Sequence, residues 1–120
     1  MTYAPGTFGH IATDIRSKNA GPFWLTIDIF CDEDSWTELT AAEVIAPDRI
    51  ARLYSVTAED VNVYLLPELL VIKISFPRPV RQAGPTDRDL HAGQQFVLLA
   101  ETEVHEQGAG STPTPTARYA

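Results

Sequence analysis

The strongest regularity along the chain is a period of two. Phe23, Leu25, Ile27 and Ile29 fall on one side, and Trp24, Thr26, Asp28 and Phe30 on the other. Such alternation predicts a strand with one face in a core. Residues 9–16 alternate as well, with Ile11, Thr13 and Ile15 opposite His10, Ala12, Asp14 and Arg16, and predict a strand before it. Asn19 to Pro22 supplies the turn between the two. Val61, Val63 and Leu65 against Asn62, Tyr64 and Leu66 predict a third strand, which Pro67 and Glu68 interrupt. Leu70, Ile72, Ile74 and Phe76 against Leu69, Val71, Lys73 and Ser75 predict a fourth, stopped by Pro77 and Pro79 because proline cannot donate to a ladder. The apolar stretch from Phe96 to Val104 predicts a fifth.

Between the second and third strands the period changes. Ser35 followed by Glu38 reads as a capping box, with Asp34 adding negative charge at a helix start, and predicts a helix from about Ser35 to Val44. Pro47 suits the first turn of a second helix, in which Ile50, Leu53 and Tyr54 share one buried face. Strand, strand, helix, helix, strand, strand, strand predicts an α+β fold: a single, largely antiparallel sheet of four to five strands with two helices on one face. Residues 1–8 read as a flexible arm, 9–105 as one domain, with a surface loop at Gln82 to Arg88. Residues 106–120, rich in Ser, Thr, Pro, Gly and Ala, read as a disordered tail.

A chain of 120 residues favours one domain. Its net charge of −7 is spread along the sequence, and no cluster of Lys and Arg could neutralise a run of phosphates, which argues against nucleic acid and anionic membranes as partners. The one cysteine, Cys31, allows no disulfide within the chain and no cysteine-based zinc site. Met1 to His10 lacks the basic and apolar segments of a signal peptide, and Val61 to Phe76 is too interrupted to span a bilayer. A cytoplasmic location is expected.

The densest chemistry lies between the first two strands, in Arg16-Ser17-Lys18-Asn19-Ala20-Gly21-Pro22-Phe23. Two cations, a hydroxyl, an amide and a glycine can form an anion site, with Arg16, Ser17, Lys18, Asn19 and Gly21 as its members. The plainer alternative is a polar turn whose Gly21 supplies an unusual backbone angle. The anion site requires Arg16, Lys18 and Asn19 to converge on a partly exposed pocket, with Phe23 anchored in the core. Lys18 and Asp28 are the candidate catalytic residues, as a Schiff-base amine and a general base, although Lys18 has no apolar surroundings to lower its pKa. Asp14 and Asp28 read more simply as ion-pair partners of Arg16. His10, His91 and His105 lie far apart, so no metal ligand set is expected, and Ser17 has no nearby His to activate it. Trp24 and Phe30, on the second face of their strand, are candidate interface residues, as are Arg78 between two prolines and the amides Gln94 and Gln95.

Ile15 through Phe23, followed by Leu25-Thr26-Ile27-Asp28-Ile29, resembles the signature of the domain-of-unknown-function 4387 family. Ile50-Ala51-Arg52-Leu53-Tyr54, Phe76-Pro77-Arg78-Pro79 and Gly93-Gln94-Gln95 fit the same pattern, so the resemblance covers roughly residues 9–104. Members of that family resemble the small ferredoxin-like domain that follows the large domain in acyclic terpene utilisation (AtuA) family proteins. The resemblance implies a ferredoxin-like sandwich and a hetero-oligomer with an AtuA-like large protein. It further implies a small subunit, inactive alone, of a hydratase or dehydratase (a lyase) that acts on a small carboxylic acid or acyl substrate without a cofactor. The alternative is a non-catalytic module that docks and stabilises the large protein.

Overall fold

The computed structural model describes residues 3–21, 23–78 and 95–105, together with the backbone of 118 and 119. The alternating segments form β1 (Asp14–Asn19), β2 (Trp24–Phe30), β3 (Asn62–Leu66) and β4 (Val71–Pro77). They pair antiparallel throughout, in the order β1-β2-β4-β3. A two-residue strand, β5 (Arg118–Tyr119), adds to β3 in parallel. The rest of the tail expected from Glu106, and the loop expected at Gln82 to Arg88, lie outside the described residues.

The register sorts side chains into rows. One face carries Ile15–Ile29–Ile72–Leu65, then Ser17–Ile27–Ile74–Val63, then Asn19–Leu25–Phe76. Most of the apolar members are almost wholly buried. The helices pack on this side: α2 (Glu33–Leu39), α3 (Pro47–Tyr54) and the short α1 (Phe8–Ile11) and α4 (Phe96–Ala100) bring Leu39, Ile50, Tyr54, Phe8 and Leu99 into the same core. The architecture is therefore the expected α+β sheet with helices on one face.

Three local expectations need correction. The strand expected over 9–16 starts only at Asp14. Thr7 caps a turn of helix before it, its hydroxyl accepting from the His10 N–H at 3.3 Å, so Phe8 and Ala12 are buried one turn apart. The folded unit thus begins inside the stretch expected to be an arm. The capping box lies three residues earlier than expected. Asp32 is the N-cap and accepts from the Ser35 N–H at 2.8 Å, while the Asp32 N–H donates to Ser35 Oγ at 2.9 Å. Ser35 therefore closes the box instead of opening it. The run Phe96–Ala100 is helical. Phe96, Leu99 and Ala100 face the core at helical spacing while Leu98 is 47% exposed, and a short apolar run cannot reveal its period by hydrophobicity alone.

Arg49 joins the ends of this arrangement. It is 5% exposed on α3, with its guanidinium over the Phe8 ring at 5.4 Å. Nη1 donates to the Val44 carbonyl at 3.1 Å and to that of Val104 at 2.6 Å, and Nη2 donates to the Glu103 carbonyl. Beside it Thr7 bridges Glu103, the Phe8 N–H donates to Thr102 O at 3.0 Å, and the Val104 N–H donates to Gly6 O at 2.8 Å. Replacing Arg49 by alanine orphans these carbonyls and is expected to cost about 2–4 kcal/mol. That is a fall in Tm of roughly 10 °C. Arg49→Lys, which keeps the charge and loses the planar fork, should recover less than half of this in thermal denaturation.

Candidate functional site

Strand alternation divides the polar motif between the two faces of the sheet. Arg16 and Lys18 lie on the face away from the helices, Ser17 and Asn19 on the helix side. Arg16 and Lys18 therefore do not converge with Asn19 on one pocket. Arg16 Nε pairs with Asp14 Oδ2 at 2.8 Å, and its guanidinium lies over the Phe30 ring at 5.8 Å. Its side chain is 76% exposed, so the pair contributes at most about 1 kcal/mol. Asp28 is held from the other direction. Its Oδ1 is buried 3.1 Å from Lys73 Nζ, in a geometry that makes an ion pair but not a hydrogen bond. The row Arg16–Asp28–Lys73 alternates in charge across β1, β2 and β4. Lys18 is exposed and pairs in register with Thr26, which is buried despite facing away from the helices.

On the helix side the motif meets two segments distant in sequence, and a third side chain braces one of them. Arg78, just past β4, is fixed by its N–H donating to the Phe23 carbonyl at 2.7 Å, and its Nη1 donates to Asn19 Oδ1. Ser17 Oγ accepts from the Phe96 N–H at 3.0 Å, at the start of α4. Tyr54, at the end of α3, donates its hydroxyl to the Gln95 carbonyl at 2.7 Å and accepts from the Leu99 N–H at 3.2 Å. Its ring lies 4.7 Å from that of Phe76. Ser17, Asn19, Tyr54, Arg78 and Gln95 thus form one polar corner at the end of apolar sheet rows. The turn that delivers Asn19 is completed by Gly21 at φ 89°, a conformation open to glycine.

The surroundings of this corner differ from expectation at Phe23, which is 54% exposed and does not anchor in the core. Trp24, on the opposite face, is 38% exposed, and Phe30 is partly covered. Gln94 and His91 lie outside the described residues. Among the described residues no group of three His, Cys, Asp or Glu side chains is gathered to hold a metal ion, and no helix is long and apolar enough to cross a membrane. Cys31 is half-buried, and burial pushes its thiol above the usual value, which disfavours the reactive thiolate. The capping bonds from Ser35 hold the Asp32 carboxyl below its usual value, a structural effect.

Tyr54 was expected on the buried face of its helix and is found there, whereas Arg49 was not expected to be buried. Arg49 carried one usable signal. At helical spacing it precedes Leu53 by one turn, so it flanks the stripe of Ile50, Leu53 and Tyr54 and does not lie opposite it.

Burial raises the Tyr54 phenol above its ordinary value of 10.0. A raised folded-state pKa means that Tyr54 contributes stability fully below the unfolded value, and that this contribution is lost as pH rises beyond it. Wild-type stability should therefore fall more steeply above pH of about 10 than that of Tyr54→Phe. At neutral pH Tyr54→Phe should cost about 1–2 kcal/mol, because the Leu99 N–H loses its acceptor. Denaturant titrations of both proteins across pH check the two effects.

The match to known families spans this whole arrangement. A family model described as Domain of unknown function (DUF4387) matches residues 8–103, from the buried Phe8 to the Glu103 carbonyl that Arg49 holds. Neither a curated protein nor a solved structure matches the chain. The extent of the family match, over the antiparallel strands and α-helices of the described residues, places this chain in the DUF4387 family.

Proposed function

We propose that this chain is the small, cytoplasmic component of a two-component enzyme, contributing a carboxylate-holding corner to a site shared with a larger, AtuA-like protein. The observation that carries the reading is the meeting of Ser17, Asn19, Arg78 and the first turn of α4 at one end of the sheet. A guanidinium is the side chain whose geometry best matches a planar carboxylate, and here it stands beside an amide and a hydroxyl. In a chain of net charge −7, such a corner gives an anion a local point of attraction. The class of reaction, hydration or dehydration of a small carboxylic acid or acyl compound, rests on the resemblance to AtuA-family proteins. Arg16 and Lys18, on the opposite face, are available to the large protein or to its substrate.

A second reading is supported by the exposure of Phe23 and Trp24 beside the corner. Aromatic side chains at a rim of polar groups favour docking, and a module that docks without touching substrate would use the same end of the sheet.

Co-expression with an AtuA-like large protein, followed by assay on small hydroxy and unsaturated acids, separates the readings. In the shared-site reading Arg78→Ala lowers activity by about 30-fold or more, equivalent to at least about 2 kcal/mol, with the complex intact. In the docking reading Arg78→Ala is tolerated once the complex has formed, and Trp24→Ala dissociates it. Hydro-lyase activity in the small chain alone would sink both.

A further inference from the structure

A concave site lies apart from the polar corner. Between α1, α3 and α4 there is a pocket of about 190 Å³. Phe8, Ile50 and Leu99, each at most 1% exposed, form its apolar floor, and the half-buried Leu53 lies at its side. Arg49 and Arg52, three residues apart on α3, supply its charged wall. Arg49 is tied to main-chain carbonyls. Arg52 is exposed and, among the described residues, makes no hydrogen bond or ion pair. Thr102 completes the lining, but its hydroxyl proton is committed to the Leu98 carbonyl at 2.8 Å, so it offers an anion no donor and leaves the head group to the arginine side of the pocket.

We infer that this pocket binds a small monocarboxylate with a compact apolar body, of the size of benzoate. The volume sets the size: a cavity of about 150 Å³ lined by Leu, Ile and Phe takes up benzene. The floor sets the body, because buried Phe, Ile and Leu side chains reward apolar surface and leave a hydrated polyanion without partners. The wall sets the head group. Arg52 offers a planar fork at the mouth, Arg49 adds its positive field from below, and the chain around them is acidic overall. A cationic head group would meet two arginines, and a neutral one would leave the Arg52 fork unused. The site is independent of the corner at Asn19 and Arg78, since none of its lining residues belongs to that corner.

The test is a titration of the full chain followed by amide NMR, with benzoate as the probe and benzyl alcohol and inorganic phosphate as controls. Benzoate should give saturable shifts at Phe8, Leu53, Leu99 and Thr102, and the affinity should drop at least tenfold for benzyl alcohol and in Arg52→Gln. Leu53→Trp, which fills the mouth, should abolish the shifts. Arg52→Gln changes an exposed position and keeps the test standing if the tryptophan variant does not fold. Absent or non-saturable shifts, equal binding of benzyl alcohol, or equal binding of phosphate at the same amides would each overturn the inference. So would benzoate shifts confined to Asn19, Phe23 and Arg78.

Discussion

The architecture turns on a buried guanidinium. Moving a charge out of water costs several kcal/mol unless the protein replaces its hydration with well-aimed acceptors. Arg49 obtains those acceptors from Val44, Glu103 and Val104, and an aromatic face from Phe8. These residues belong to the α2–α3 connection, to the segment after α4 and to the first helical turn. None of them is local to α3 beyond Val44, so the guanidinium can be satisfied only when both ends of the domain have come to it. The apolar sheet face would accept several helical arrangements of similar burial. The directional demand of a planar fork selects among them in a way that burial cannot.

The same logic governs the polar corner at lower cost. Ser17 and Asn19 sit in rows otherwise filled by Ile27, Ile74, Val63, Leu25 and Phe76. An edge strand can carry polar side chains on its inner face because α4 and Arg78 reach it from outside the sheet. Tyr54 anchors α4 from the opposite side, so that short helix is held at both the Ser17 and the α3 boundary. A five-residue helix has little stability of its own, and its position is set by these side-chain contacts more than by its propensity.

The strands and the second long helix were legible because their periods are clean and their stops are prolines or polar turns. β2, β3 and β4 begin and end within a residue or so of the alternation, and Pro47 marks the first turn of α3. What was illegible shared one cause: a local pattern compatible with two conformations. Residues 96–100 are apolar throughout, and the alternation read over residues 9–16 overlaps a stretch in which Phe8 and Ala12 fall one helical turn apart. Asp32 and Ser35 are both good caps, and only the reciprocal pair of bonds decides which one opens the helix. In the site, sequence proximity pointed to Arg16 and Lys18 as companions of Asn19. The period of two separates them, and Asn19 is instead joined to Arg78, fifty-nine residues away. Arg49 escaped because a charged residue beside an apolar stripe reads as surface until its acceptors, supplied from elsewhere in the chain, are known.

The bridge between Thr7 and Glu103 brings the two ends of the family-matched segment side by side. A unit with neighbouring ends needs only a short gap in a host polypeptide, so it can be inserted into a surface loop of another protein without disturbing either fold. The closure is made by the segment and its immediate flanks, Gly6, Thr7 and Val104, so it travels with the module wherever that is tethered. For such a module, moving between free-standing and fused forms is a change of tethering alone. Tethering alters the local concentration at which it meets a partner and leaves its own contacts unchanged.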